Sequence, residues 1–248
     1  MKKKVFITGA TSGIGYIMVE LCIAKGYDVY ATGRNAQALQ DLQNKGATVF
    51  QADLRDHAEL QQLLQSLPVL DVAILNAGLG LFDSFHELQE DEIDTMFLTN
   101  VRAPIMLARE IAKKMMPRNQ GHIIIVSSQA GKVATNKASI YASTKHAMTG
   151  FINGARLELT PYNIHVTGIY PGPIDTPFLQ KADATDAYRQ AVNTFLIKPE
   201  KVAKAAIKAI EKPVREINLP KVMSFTSKLY ALAPSVVEFV GRGFFNKK

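Results

Sequence analysis

Tyr141 and Lys145 are two side chains that could together move a proton. The stretch Tyr141-Ala142-Ser143-Thr144-Lys145 separates a phenol from an ammonium by four residues. On a helix this spacing puts both side chains on one face, so they can point into the same cleft. A free phenol has a pKa of about 10, and a nearby ammonium lowers that pKa by favouring the phenolate. The pair predicts an acid/base device, although ordinary exposed helical pairs have the same spacing.

A second segment could hold a phosphate group. It follows the first strand-like run and consists of Gly9, Ala10, Thr11, Ser12, Gly13, Ile14 and Gly15. Glycines let the backbone approach a pyrophosphate closely, and the amino end of the following helix offers free N–H groups and positive potential. A plain tight turn also uses glycines, but the position between a strand and a helix favours dinucleotide binding.

The end of the second predicted strand indicates which dinucleotide binds. An acidic side chain at this point would accept hydrogen bonds from the adenosine ribose and repel a 2′-phosphate. The sequence instead has Gly33 there, followed by Arg34. A guanidinium matches a phosphate in charge and geometry, although an exposed surface arginine needs no such role. We therefore predict NADP(H) as the cofactor.

Strand-like and helix-like segments alternate along the chain and would position these residues. We predict strands at 5–7, 28–32, 48–52, 71–75, 122–127, 164–170 and 216–219, and helices at 14–25, 36–45, 58–66, about 91–116, 140–159 and 199–210. This alternation predicts an α/β fold with a doubly wound, Rossmann-like parallel sheet of about seven strands and helices on both faces. Ligands of such sheets bind at the carboxyl ends of the strands, where the chemically informative residues lie.

Length and composition limit the number of domains and the kinds of site that the chain can contain. The 248 residues suit one catalytic domain, expected at 1–220, with an extension at 221–248. Cys22 is the single cysteine and the five histidines are scattered, so neither a disulfide nor a metal site is expected. We find no secretory signal and no apolar run long enough to span a membrane, and we expect a soluble, cytoplasmic protein.

The net charge of +7 lies mainly near the two ends of the chain. This distribution, and the absence of a nucleic-acid motif, argue against nucleic-acid binding. The extension at 221–248 mixes apolar side chains with basic ones, and Pro234 should interrupt any helix in it. It could cover the substrate cleft, form a homodimer or other homo-oligomer contact, or make weak peripheral contact with a membrane through its apolar side. Packing or dimerisation is the favoured expectation.

These motifs together resemble the short-chain dehydrogenase/reductase family, from about residue 4 to residue 210. The further segments that carry the resemblance follow successive predicted strands: Asp53-Leu54, Asn76-Ala77-Gly78 and Pro171-Gly172-Pro173-Ile174-Asp175-Thr176. The resemblance implies that Asp53 and Leu54 lie at the adenine and that Asn76, Ala77 and Gly78 support the sheet and cofactor. It also implies that Pro171, Gly172, Ile174 and Thr176 contact the nicotinamide side. Ser12 departs from relatives that carry a second basic residue at its position.

The resemblance also assigns catalytic roles. Ser128 lies thirteen residues before Tyr141, which is the family spacing for the serine that binds the substrate oxygen. Asn100 matches the family asparagine that anchors a water relay to Lys145, although an asparagine within a helix can also act as a local kink. Lys145 would hold the nicotinamide ribose and tune Tyr141, which would exchange a proton with a carbonyl or alcohol substrate.

The sequence predicts the residues that would contact the substrate less specifically. The resemblance implies a lid and pocket at 177–197, where Phe178, Leu179, Tyr188, Phe195 and Leu196 together favour an apolar substrate. Phe82 and Phe85 could line the same cleft, although ordinary helix packing would explain each of these side chains equally well. The extension after Pro220 departs from the common family ending and puts the usual tetramer in doubt. Two alternatives are a catalytically silent dinucleotide-binding sensor or scaffold and the longer sugar-nucleotide branch of the superfamily, whose glycine spacing differs.

Overall fold

A single parallel sheet of seven strands organises the chain in a computed structural model that describes residues 2–182 and 192–241. The strands are β1 (Lys4–Thr8), β2 (Asp28–Gly33), β3 (Thr48–Gln51), β4 (Val72–Leu75), β5 (Gly121–Val126), β6 (Ile164–Pro171) and β7 (Glu216–Leu219). Their order across the sheet is β3-β2-β1-β4-β5-β6-β7, and every neighbouring pair is parallel. The predicted fold class is confirmed. The order reverses between β1 and β4, where such sheets bind ligands.

Helices cover both faces of the sheet. They are α1 (Gly13–Ala24), α2 (Ala36–Asn44), α3 (His57–Ser66), α4 (Glu90–Phe97), α5 (Ala103–Met115), α6 (Ser139–Leu159), α7 (Pro177–Ala182), α8 (Pro199–Glu211), α9 (Val222–Leu232) and α10 (Pro234–Val240). One core packs the sheet against α1, α2 and α8, and the other packs it against α3, α5 and α6. Within the described ranges, no helix is both long and apolar enough to cross a bilayer.

Side-chain alternation explains why both cores form. In β1, Val5 and Ile7 enter one core and Phe6 enters the other, and all three are fully buried. Successive side chains of a strand point to opposite faces, so a strand covered on both sides must be apolar throughout. Burial on both faces therefore fixes the sheet as a rigid platform for the residues at the carboxyl ends of its strands.

The helix predicted at about 91–116 is not continuous. A π-helical turn, Leu98–Arg102, separates α4 from α5, and it carries the buried Asn100. Such turns insert one extra residue per turn and often occur at functional sites. The apolar periodicity continues on both sides, which is why sequence pattern alone predicted one helix.

The chain after β7 forms two short helices. Pro234 is the first residue of α10 and ends the preceding helix, as predicted. Proline is well tolerated in the first turn of a helix because its missing N–H would have no partner there. We call α9 and α10 together the roof, because they lie over one half of the cavity described below.

Candidate active site

The loop between β1 and α1 is a cradle that only glycines can form. Gly9 and Gly13 have φ values of 65° and 53°, which L-residues rarely adopt. A Cβ on Gly15 would lie 2.1 Å from the carbonyl oxygen of Gly9, and a Cβ on Gly9 would lie 2.8 Å from the Cα of Ala77. The loop therefore lies flat against the end of β4 and leaves the amino end of α1 open to an anionic group.

Asn76 joins this loop to the neighbouring strand. Its Nδ2 donates to the carbonyl oxygens of Thr8 and Gly9 at 3.0 and 3.3 Å. In return, Thr8 Oγ1 accepts the backbone N–H groups of Asn76 and Ala77 at 2.9 and 3.0 Å. These bonds hold the ends of β1 and β4 together at the switch in strand order.

The ends of β2 and β3 carry two arginines. A Cβ on Gly33 would lie 2.5 Å from Thr11 Cγ2, so there is no room for an acidic side chain at that position. Arg34 follows with 63% of its side chain exposed, and its guanidinium lies 3.8 Å from the carboxylate of Asp53. Arg55 binds the same carboxylate through Nε and Nη2, which holds the pKa of Asp53 below its usual value. One pocket edge therefore presents two guanidinium groups.

Tyr141 lies in the first turn of α6 and is 7% exposed. Its ring packs edge-on against Phe82 at 5.5 Å between centroids and at a tilt against Phe178 at 5.9 Å. Gly80 makes this packing possible, because a Cβ there would lie 2.9 Å from Phe178 Cζ. Two phenylalanines therefore fix the plane of the phenol.

Lys145 is one turn further along α6, and its Nζ lies 5.6 Å from the centre of the Tyr141 ring. The side chain is buried, and burial lowers the pKa of Lys145 to about 8. Removing an ammonium from water disfavours its charged form. A negative charge beside it, such as a phenolate, would restore that form, and the two groups therefore favour each other's ionised states.

Asn100 packs behind Tyr141 and Lys145 and binds the segments next to them. Its Oδ1 accepts the N–H of Leu79 at 2.9 Å, and its Nδ2 donates to the carbonyl oxygen of Leu79 at 2.7 Å and to Thr144 Oγ1 at 3.1 Å. The side chain thus ties the segment after β4 to α6. A Cβ on Gly78 would lie 3.2 Å from Asn100 Oδ1 and 3.4 Å from Lys145 Nζ, so this segment passes closely over both.

Ser128 begins a short 3-10 turn, Gln129–Gly131, directly after β5. Its Oγ accepts the N–H of Ala130 at 3.0 Å, which fixes the hydroxyl at the turn. Gly131 allows the turn to lie on α6, because a Cβ there would be 2.6 Å from the carbonyl oxygen of Lys145. Thr149 Oγ1 also donates to the carbonyl oxygen of Gly131 at 3.0 Å.

One cavity of about 700 Å³ joins these parts. The predicted residues that line it are Gly9, Thr11, Ser12, Gly13, Ile14, Arg34, Asp53, Leu54, Asn76, Ala77, Gly78, Ser128, Tyr141, Lys145, Pro171, Gly172, Ile174 and Thr176. Gly15 and Asn100 do not line it; they pack behind the lining and position it. The residues predicted to bind the nucleotide and those predicted to transfer the proton therefore share one cleft.

The half of the cavity where substrate is expected to bind is mainly apolar. Phe82, Phe178, Leu179, Phe195 and, from the roof, Val222, Met223, Thr226, Tyr230 and Val237 line it. Phe85 does not: it is 64% exposed and lies outside the cavity, where its ring packs edge-on against His86, so that expectation was wrong. Leu196 is also absent from the lining. Tyr188 lies outside the described residues.

Arg55 and Gly131 are site residues that the sequence analysis missed. Arg55 is two residues beyond Asp53, and a cation just after a strand end was the available signal. Gly131 gave no local signal, because its importance comes from α6 lying against it. Among the described residues, no group of histidine, cysteine and carboxylate side chains could hold a metal ion.

Comparisons with known proteins agree with this geometry. The family model described as short chain dehydrogenase matches residues 3–187. The NADP-dependent 3-hydroxy acid dehydrogenase of Escherichia coli strain K12 is 32% identical over 213 residues, covering 81% of this chain and 86% of that protein. A solved structure titled as the closed form of serine dehydrogenase complexed with NADP+ superposes with a TM-score of 0.81 at 31% identity, covering 87% and 94% of the two chains. A short-chain dehydrogenase from Streptomyces avermitilis gives a TM-score of 0.83 at 26% identity, covering 98% of each.

Proposed function

The chain belongs to the short-chain dehydrogenase family, and from this membership we propose that it interconverts a carbonyl compound and its alcohol with NADP(H), using Tyr141 as the acid/base. The observation that carries the proposal is that Tyr141, Lys145 and Ser128 line the same cavity as the glycine cradle. A group bound along that cradle would extend toward the phenol.

The residues present fit a dinucleotide with a 2′-phosphate. The glycine cradle and the amino end of α1 would hold the pyrophosphate, because Gly9, Gly13 and Ile14 line the cavity at the start of that helix, where backbone N–H groups have no partner within the helix. Arg34 and Arg55 would face the 2′-phosphate at the ends of β2 and β3. Thr11 fills the place of the carboxylate that an NAD-preferring site would use. Two relatives support this choice: the 3-hydroxy acid dehydrogenase is NADP-dependent, and the serine dehydrogenase was solved with NADP+.

Proton transfer falls to Tyr141. When bound, NADP(H) supplies or accepts the hydride. In reduction, the Tyr141 Oη donates its proton to the carbonyl oxygen, and in oxidation it takes the proton back from the alcohol. Lys145 favours the resulting phenolate through its charge. Phe82 and Phe178 keep the ring in one plane, so the proton stays at a defined position.

Substrate orientation falls to Ser128 and the apolar half of the cavity. The Ser128 Oγ keeps its donor available because it accepts from the Ala130 N–H, and it can therefore donate to the substrate oxygen. The charged side chains in the described lining are Arg34, Asp53, Arg55 and Lys145, all assigned above to the cofactor or the proton relay. We infer that the substrate is uncharged and apolar beyond its reacting oxygen.

The first test is turnover by the purified full-length protein. NADPH is mixed with neutral aldehydes and ketones of increasing chain length, and loss of the reduced nicotinamide absorbance is followed. Tyr141→Phe is expected to lower kcat by about 10²–10⁴-fold, the usual worth of a general acid. The NADPH Kd, measured by fluorescence titration, should stay within about twofold, because the phenol hydroxyl contributes chiefly to the transition state.

Tyr162→Phe is the matched control, because Tyr162 lies outside the cavity and the same hydroxyl is removed. It should keep full turnover. Retained turnover in Tyr141→Phe would remove the acid/base assignment. NADPH binding without turnover of any carbonyl compound would instead support the sensor alternative, and failure to bind NADPH would overturn the whole proposal.

A further inference from the structure

The roof has an apolar outer face as well as the inner face that lines the cavity. Phe225, Leu229 and Leu232 are spaced by four and three residues on α9, and Val236 and Val240 by four on α10, so each set follows one side of its helix. Leu232 and Val240 are 84% and 80% exposed. Half of the large apolar side chains that the described residues expose lie on these two short helices. Such a concentration marks an interaction surface.

Basic charge accompanies this face. Lys221, the residue that precedes α9, and Lys228 on α9 are both exposed, and α9 contains no carboxylate. Residues 221–248 contain five lysines and arginines against one acidic residue, Glu238. Glu238 accepts a hydrogen bond from the Tyr230 hydroxyl at 2.8 Å, and Tyr230 lines the cavity, which engages that carboxylate with the inner side of the roof.

The basic charge and the apolar side chains of this face together indicate which partner binds it. A second copy of the chain docking through this face by twofold symmetry would bring two basic surfaces together. A membrane with anionic headgroups would instead meet the basic groups with opposite charge and accept the apolar side chains among its acyl chains. We propose that the outer face of the roof binds an anionic lipid surface, with α9 and α10 lying in the plane of the interface.

This position has a consequence for the cavity. The roof is one helix thick, about 10 Å, and its inner residues Met223 and Val237 line the substrate half. A roof seated at the interface places that half within roughly one helix diameter of the lipid. An apolar substrate dissolved in the bilayer could then reach the site without crossing bulk water. Membrane binding itself needs no turnover, so it can be tested apart from the proposed reaction.

Flotation of the full-length protein with vesicles tests the proposal. We expect the protein to float with phosphatidylcholine vesicles that contain one-third phosphatidylglycerol, and to stay behind with pure phosphatidylcholine or in high salt. Leu232→Asp/Val236→Asp should lower the bound fraction by roughly tenfold or more, because two apolar side chains leave the interface. Lys221→Gln/Lys228→Gln should lower it by roughly tenfold on anionic vesicles.

Leu157→Asp is the matched control, because Leu157 is a 74% exposed leucine on α6, away from the roof. It should float like the unchanged protein, and circular dichroism should show all variants folded. Absence of flotation in the unchanged protein, or equal loss in Leu157→Asp, would overturn the proposal. So would sedimentation showing that Leu232→Asp/Val236→Asp disrupts a dimer while vesicle binding is unaffected.

Discussion

At the residue scale, the proposed preference for NADP(H) rests on the space beside Thr11. The threonine packs where a side chain at position 33 would otherwise project, so the end of β2 can carry no acid. The charge at this edge then comes from Arg34 and Arg55, with Asp53 binding Arg55 directly and Arg34 remaining largely exposed. A partly free guanidinium at a pocket edge gains most from a phosphate partner.

Arg34→Ala should therefore separate the two dinucleotides. We expect the Kd of NADPH to rise by roughly 10–100-fold, the worth of a charge-assisted hydrogen bond, while the Kd of NADH changes little. Isothermal titration with both cofactors measures this. Arg109→Ala, which removes an exposed guanidinium on α5, is the control and should change neither value. Equal losses for both dinucleotides would contradict the role of Arg34.

At the element scale, two short turns that are not α-helical bring the proposed catalytic groups together. The π-helical turn before α5 aims Asn100 at Leu79, and the 3-10 turn after β5 seats Ser128 against α6. Both turns are held by contacts to elements distant in sequence. The distance between the groups proposed for proton transfer and for substrate binding therefore depends on how closely α6 approaches its neighbours.

Gly131→Ala tests that approach. Its Cβ would meet the carbonyl oxygen of Lys145 at 2.6 Å, so the Ser128 turn or α6 must shift. We expect kcat to fall by roughly 10–100-fold, because displacements near 1 Å are costly to catalysis, while NADPH binding is retained. Gly150→Ala on α6 faces open space and should keep activity and gain about 0.5–1 kcal/mol of stability. Unchanged kcat in Gly131→Ala would contradict the role of the turn.

At the scale of the whole molecule, burial of the Lys145 ammonium lowers the free energy of unfolding. Burial lowers the pKa of Lys145 from 10.5 to about 8, so the unfolded chain holds this proton more tightly than the folded one. This loss of stability is largest below pH 8, where the ammonium is charged in both the folded and the unfolded protein. It fades as the pH rises from 8 to 10.5, where the folded protein has lost the proton first.

Lys145→Met should therefore abolish turnover yet stabilise the cofactor-free protein. We expect a gain of about 3 kcal/mol at most at pH 7, from the pKa difference, shrinking toward zero near pH 10.5. Urea unfolding of both proteins at several pH values measures it. A difference in the free energy of unfolding that does not change with pH would show that burial of the charge is not its cause.

The sequence by itself determined the fold class and most of the cavity lining. Apolar runs of strand length alternate with helical periodicity, and this local pattern decides which segments form strands and which form helices. Parallel strands in such a sheet all end at one edge, so Gly13, Ser128 and Thr176 could be placed near one another without a structure. Placing Tyr141 and Lys145 on the same face required only the four-residue spacing of neighbours on a helix.

The tertiary structure alone decided the π-helical turn at Asn100, the importance of Gly131, the outward position of Phe85 and the placement of the roof. The roof packs where Met223 meets Gly172, residues about fifty positions apart, and a Cβ on Gly172 would lie 2.9 Å from the sulfur of Met223. Contacts of this kind arise from close packing between distant segments. Local propensity carries no information about them, because the same apolar residues could equally have packed on another surface.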